Sequence, residues 1–139
     1  MFYGPPRALC CAGDAASFRV SSDGRALGTI RDDAAALTCC QGRMFVGDPS
    51  GRDVLRLGPV PLCTCAALCP CVADEIIPVF ESAGASPVAE LRRPRLACHE
   101  LFGLTNRFVV TFDGVADPDR RRLLFAAGLA WDLCYWEQK

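Results

Sequence analysis

Along most of the chain, hydrophobic and polar positions alternate in short runs separated by turn residues. "SFRV" leads into "SSDGR", where Asp23-Gly24 is a hairpin signal, and "ALGTIR" follows as the return strand. "RMFVGD" (Arg43 to Asp48), the turn "PSGR" and "DVLRLG" predict a second hairpin. "EIIPVFES", a turn at Gly84 and "PVAELRR" predict a third. "RFVVTF" (Arg107 to Phe112) is a seventh run of β-branched and aromatic residues. The fairly even spacing predicts an up-and-down antiparallel sheet or barrel with no helical crossover.

After Phe112 the period changes. Asp117 is suited to cap a helix and Pro118 to occupy its first position, so a helix is expected over 118–137. Gly128 is its one weak position, costing about 1 kcal/mol. From Leu123 to Trp136 the only charged residue among fourteen is Asp132. Such a segment is either a membrane span or a buried helix. Fourteen residues at ~1.5 Å each cover about 21 Å, short of a ~30 Å hydrocarbon core. Asp132 in a span would cost roughly 2.5–3.5 kcal/mol. A helix apolar on nearly all sides instead suits the inside of a curved sheet. Leu123, Leu124, Ala127, Trp131 and Tyr135 then face the sheet, with Trp136 closing the segment. Asp132 lies one step off that stripe and requires a hydrogen-bond partner or access to water.

Composition narrows the function classes. The chain has 139 residues, 51% of them hydrophobic, and a formal charge of −1. One domain with a sizeable core is expected, and binding dominated by a nucleic-acid backbone is not. Pro5 and Pro6 interrupt the N-terminus where a signal peptide needs an apolar run, and residues 1–9 are expected to be a flexible terminus. Ten cysteines without a signal peptide predict free thiols rather than a disulfide framework. They are grouped as Cys10-Cys11, Cys39-Cys40 and "CTCAALCPC", with Cys98 and Cys134 alone. No Cys-x-x-Cys occurs, which disfavours structural zinc. The cluster is either a modified segment, a plain loop between strands or a less usual metal site. His99 is the only histidine, and Cys98 beside it would point the other way on a strand. With no third group to orient them and no glycine-rich phosphate loop, catalysis is not expected.

Three stretches carry a family resemblance. "DVLRLGPVPLCTC" combines a strand, Gly-Pro and clustered cysteines; "DGRALGTIRDD" sets a Gly before a β-branched residue; "LLFAAGLAWDLCYWE" holds Asp132 followed by Tyr135, Trp136 and Glu137. Collinear from about Arg7 to Glu137, they resemble the second half of the phospholipid scramblase family, within the Tubby-like group of folds. The resemblance implies one scramblase-like domain over residues 1–139: a mainly β fold with one C-terminal helix. Its antiparallel barrel, here partial, would wrap a hydrophobic central helix at 118–137. It implies a protein that mediates or regulates transbilayer movement of phospholipids, without enzymatic catalysis, on the cytoplasmic face of a membrane such as the plasma membrane. The alternative is a non-transporting interaction module that pairs with itself or with a full-length scramblase.

The resemblance also implies site residues. Cys63, Cys65, Cys69 and Cys71, with Cys10 and Cys11, become candidates for S-palmitoylation, where two or more acyl chains anchor stably. A calcium-binding segment is implied at "LTNRFVVTFDGVAD", where the family version is rich in aspartate. Here Leu104, Thr105, Asn106 and Arg107 stand there instead, so the oxygen donors reduce to Asn106, Asp113 and Asp117. Calcium takes six to eight oxygens, Arg107 repels it, and Asp117 already serves as a helix cap. Arg120, Arg121 and Arg122 oppose the helix dipole in its first turn. They are either a solvated face, a short nuclear-import run, or contacts to anionic headgroups worth ~1 kcal/mol each.

Overall fold

The computed structural model describes residues 16–38, 40–62, 73–97 and 107–136. Each of the seven predicted runs is a strand: β1 (Ser17–Ser22), β2 (Arg25–Asp32), β3 (Gln41–Gly47), β4 (Asp53–Pro61), β5 (Glu75–Glu81), β6 (Pro87–Arg93) and β7 (Val109–Thr111). They form one antiparallel meander in chain order. The first turn shows why the order is so simple. Asp23 and Gly24 have φ of 52° and 76°, the left-handed pair that a two-residue hairpin needs to match strand twist.

Alternation sorts the two faces. Inward rows run Phe18–Ile30–Val46–Leu55 and Met44–Leu57–Val79–Ala89, and Ile77–Leu91–Val110 continues the set. All of these except the half-buried Val110 are buried. Bulges interrupt the register at Val20/Ser21, Gly42/Met44, Val46/Gly47 and Val79/Phe80. Each adds local twist and bend, so the sheet curls into a half-barrel. Among the described residues β1 and β7 are its two edges and do not pair with each other.

The concave side holds helix α2 (Pro118–Trp131), which packs against β1, β2, β3 and β7. Asp117 caps it by accepting the Asp119 amide at 3.0 Å, and Pro118 opens it. Leu124, Ala127 and Trp131 are wholly enclosed, and full burial of a leucine-sized side chain contributes about 1.5–3 kcal/mol. The apolar segment is therefore a core helix. Among the described residues no helix is long and apolar enough to cross a membrane.

Two features differ from the sequence reading. The helix is not uniform to residue 137: at Asp132 it widens into a π-helical turn, Asp132–Trp136, and Glu137 lies outside the described residues. A short helix α1 (Ala34–Thr38) also joins β2 to β3, started by Asp33, whose carboxylate accepts the Ala35 amide at 3.0 Å. An aspartate followed by alanines is a sufficient local signal for it. The expected flexible terminus, residues 1–9, lies outside the described residues.

Candidate functional site

The π-helical turn delivers two side chains to buried carboxylates. Trp136 donates its indole N–H to Glu75 Oε2 at 2.8 Å, and Arg93 Nη2 meets the same oxygen at 2.8 Å. The Arg93 guanidinium also lies 5.1 Å from the Trp136 ring centroid. Tyr135 donates to Asp32 Oδ1 at 2.5 Å and packs against Trp131 with centroids 4.7 Å apart and the rings tilted by 50°. Asp132 is 8% exposed and acts on Arg93 as a stabilising charge. Its Oδ1 is enclosed without a hydrogen-bond partner, so its charge is answered through the field of Arg93 and not by a direct bond to that oxygen.

Strand alternation aims these groups inward. Arg93 follows Ala89 and Leu91 on β6, Glu75 precedes Ile77 and Val79 on β5, and Asp32 follows Ile30 on β2. All three sit at the strand ends nearest the helix C-terminus. Burial holds the Arg93 guanidinium below its usual value, while Glu75 and Asp132 act in the opposite sense. An arginine remains charged through such a shift, so a buried cation is paired here with the Glu75 carboxylate.

The ends of β4 and β5 that flank the cysteine-rich connection lie at this same end. β4 finishes at Pro61, Leu62 donates its amide to the Cys40 carbonyl at 2.9 Å, and β5 begins at Glu75. Cys63, Cys65, Cys69 and Cys71, and also Cys10, Cys11 and Asn106, lie outside the described residues. Cys98 and His99 do too. Cys134 is buried within the π-helical turn and Cys40 is half-buried.

The basic run sits at the opposite end of α2, some 21 Å away for fourteen helical residues. Each arginine there has a local partner. Arg120 lies 3.8 Å from Glu81 and 3.9 Å from Asp117, Arg121 donates to the Val115 carbonyl at 2.5 Å, and Arg122 pairs with Asp119 at 3.2 Å. Asp119 also receives a two-pronged bond from Arg25, both contacts 2.9 Å, and its pKa is lowered chiefly by that bond. A cavity of about 180 Å³ opens there between Arg25, Asp48, Asp119 and Leu123. The carboxylates Asp117 and Asp119 answer the unfavourable placement of three cations in a first helical turn.

Of the calcium donors, Asp113 is exposed on the turn after β7 and Asp117 is committed to the helix cap. No group of three metal-ligating side chains occurs among the described residues.

Sequence reasoning singled out Asp132, Tyr135 and Trp136 but not the Arg93, Glu75 and Asp32 that receive them. The signal was present: extending the inward alternation of β2, β5 and β6 by one step places a charge inside at each strand end. No family model matches this chain, and no curated protein and no solved structure matches it.

Proposed function

We propose that the chain is a scramblase-like, membrane-associated protein of the Tubby-like fold group, acting in transbilayer phospholipid movement without enzymatic catalysis. One observation carries this reading. Tyr135 and Trp136, two of the residues in which the family resemblance resides, tie the helix end to the curled sheet through Asp32 and Glu75. In this reading the cysteine-bearing end faces the cytoplasmic leaflet, because acyl chains on Cys63, Cys65, Cys69 and Cys71 insert from there. The test is a fluorescent-lipid flip-flop assay in liposomes reconstituted with the full chain, with and without calcium. Accelerated flip-flop is expected, and a rate equal to that of protein-free liposomes overturns the reading.

A second reading, a non-transporting module that pairs with itself or with a full-length scramblase, is favoured by the open side of the half-barrel. There Phe125 is 51% exposed and Leu133 39% exposed on the helix, between two sheet edges. Exposed edges and apolar helix faces call for a partner. Sedimentation discriminates: a strictly monomeric folded species at high concentration removes the self-pairing form of this alternative.

A further inference from the structure

The convex face of the sheet carries a transverse row that neither the helix nor the buried cluster uses. Register aligns Arg31 on β2 with Phe45 on β3, Phe45 with Arg56 on β4, and Arg56 with Phe80 on β5. The row spans three strand spacings of ~4.8 Å, about 14 Å. Its members stack. The Arg31 and Arg43 guanidinium carbons lie 4.7 and 5.4 Å from the Phe45 centroid, and that of Arg56 lies 4.7 Å from the Phe80 centroid.

The charges in this row are not treated alike. Arg31 is neutralised by Asp53 and Arg43 by Asp33. Arg56 makes no ion pair among the described residues, and its Nε is enclosed without a hydrogen-bond partner. The surplus charge of the row therefore falls on one guanidinium whose face lies over a ring. With Nε enclosed, the Nη donors are the ones left to bind, and two coplanar N–H groups match two oxygens of a phosphate. On the same face, the row Ile76–Arg92–Val109 exposes Ile76 by 51% and Val109 by 40%. Cations interleaved with apolar side chains are the composition of a surface that meets the headgroup boundary of a bilayer.

We infer that the convex face is a second membrane contact, in which Arg56, positioned by Phe45 and Phe80, takes the phosphate of an anionic phospholipid headgroup. This rests on the membrane-associated reading above and adds to it a named headgroup site outside the run Arg120, Arg121 and Arg122. The experiment is vesicle co-sedimentation of the full chain, with phosphatidylcholine alone and with phosphatidylserine added. Arg56→Gln, Arg56→Lys and Phe80→Leu are compared with the unsubstituted protein after circular dichroism has established their fold. Arg56→Gln is expected to weaken partition onto the anionic vesicles about fivefold. Arg56→Lys, which keeps the charge but not the fork, falls in between, and inorganic phosphate displaces the protein no better than chloride of equal ionic strength. Equal partition of the unsubstituted protein and Arg56→Gln overturns the inference alone. Displacement specific to inorganic phosphate reassigns Arg56 to a soluble anion and overturns it as well. An unsubstituted protein that sediments with neither vesicle overturns the membrane reading and this site together.

Discussion

Trp136 reaches back 61 positions to donate its indole N–H to Glu75, and the same carboxylate oxygen receives Arg93. One buried acid thus ties the end of the helix to the starting end of β5 and the finishing end of β6. Removing one partner of a buried ion pair leaves an uncompensated charge, which costs about 3–5 kcal/mol. Arg93→Met is therefore expected to lower the urea midpoint strongly, while Glu75→Gln combined with Arg93→Met recovers much of the loss. Trp136→Phe keeps an aromatic ring near Arg93 but loses the N–H, at about 1–3 kcal/mol, and leaves a cavity where the second indole ring packed. An unchanged midpoint for Arg93→Met would remove the cluster as a determinant of the fold.

Backbone closeness gives a second expectation. Gly28 pairs opposite Val20 on β1, and a Cβ built on it would lie 2.0 Å from the Gly47 carbonyl oxygen on β3. Because the obstacle is backbone and not a flexible side chain, the strands themselves must separate to admit it. Gly28→Ala is expected to unfold the domain or lower its melting temperature by many degrees. A melting curve superimposable on that of the parent chain would contradict the close approach.

Much of this architecture is legible in the sequence, for physical reasons that differ along the chain. Strands with one buried face must alternate, so β1 to β7 could be read from residues such as Ile77, Val79, Ala89 and Leu91. Asp117-Pro118 announces the helix start because capping is a local effect. The π-helical turn from Asp132 is not local. It accompanies the fit of Tyr135 to Asp32 and Trp136 to Glu75, contacts 103 and 61 residues apart in the chain. The Arg31–Phe45–Arg56–Phe80 row likewise depends on register, which bulges shift in ways that a single strand pattern does not report.

Acid titration offers a third measurement. Burial pushes the Asp33 carboxyl up, but its hydrogen bonds from Arg43 and from the Ala35 and Ala36 amides outweigh that, leaving the pKa lowered. A lowered folded-state pKa contributes stability that is fully present above the unfolded value of ~3.9 and is lost as pH falls through the folded value. Stability should therefore decline below about pH 4. Arg43→Met should shrink the part of that decline due to Asp33. Identical acid-unfolding profiles for the two proteins would rule Asp33 out as a contributor.

Calcium provides a fourth. Asp117 is held by the Asp119 amide, and Asp113 stands exposed on a turn. Adding millimolar calcium is expected to leave the melting temperature nearly unchanged, because a ligand stabilises only in proportion to its affinity for the folded state. A rise of several degrees would require an oxygen-rich site formed with residues beyond those two.

Adjacent helix positions supply the fifth and sharpest test. Leu124 is fully buried against the sheet, whereas Phe125, its neighbour, is 51% exposed on the open side of the half-barrel. Leu124→Asp places a carboxylate where neither water nor a partner reaches it, at a cost of several kcal/mol. Against a total stability of about 5–15 kcal/mol, that unfolds much of the population. Phe125→Asp places the same charge in water and should leave the fold intact. It should also weaken self-association if the open face pairs with a second copy. Both variants, expressed without detergent, are compared with the parent by circular dichroism and sedimentation. A helix that spans a bilayer predicts no such difference, since Asp at either position would then hinder insertion alike. A folded Leu124→Asp protein would mean that the helix does not form the core of the half-barrel.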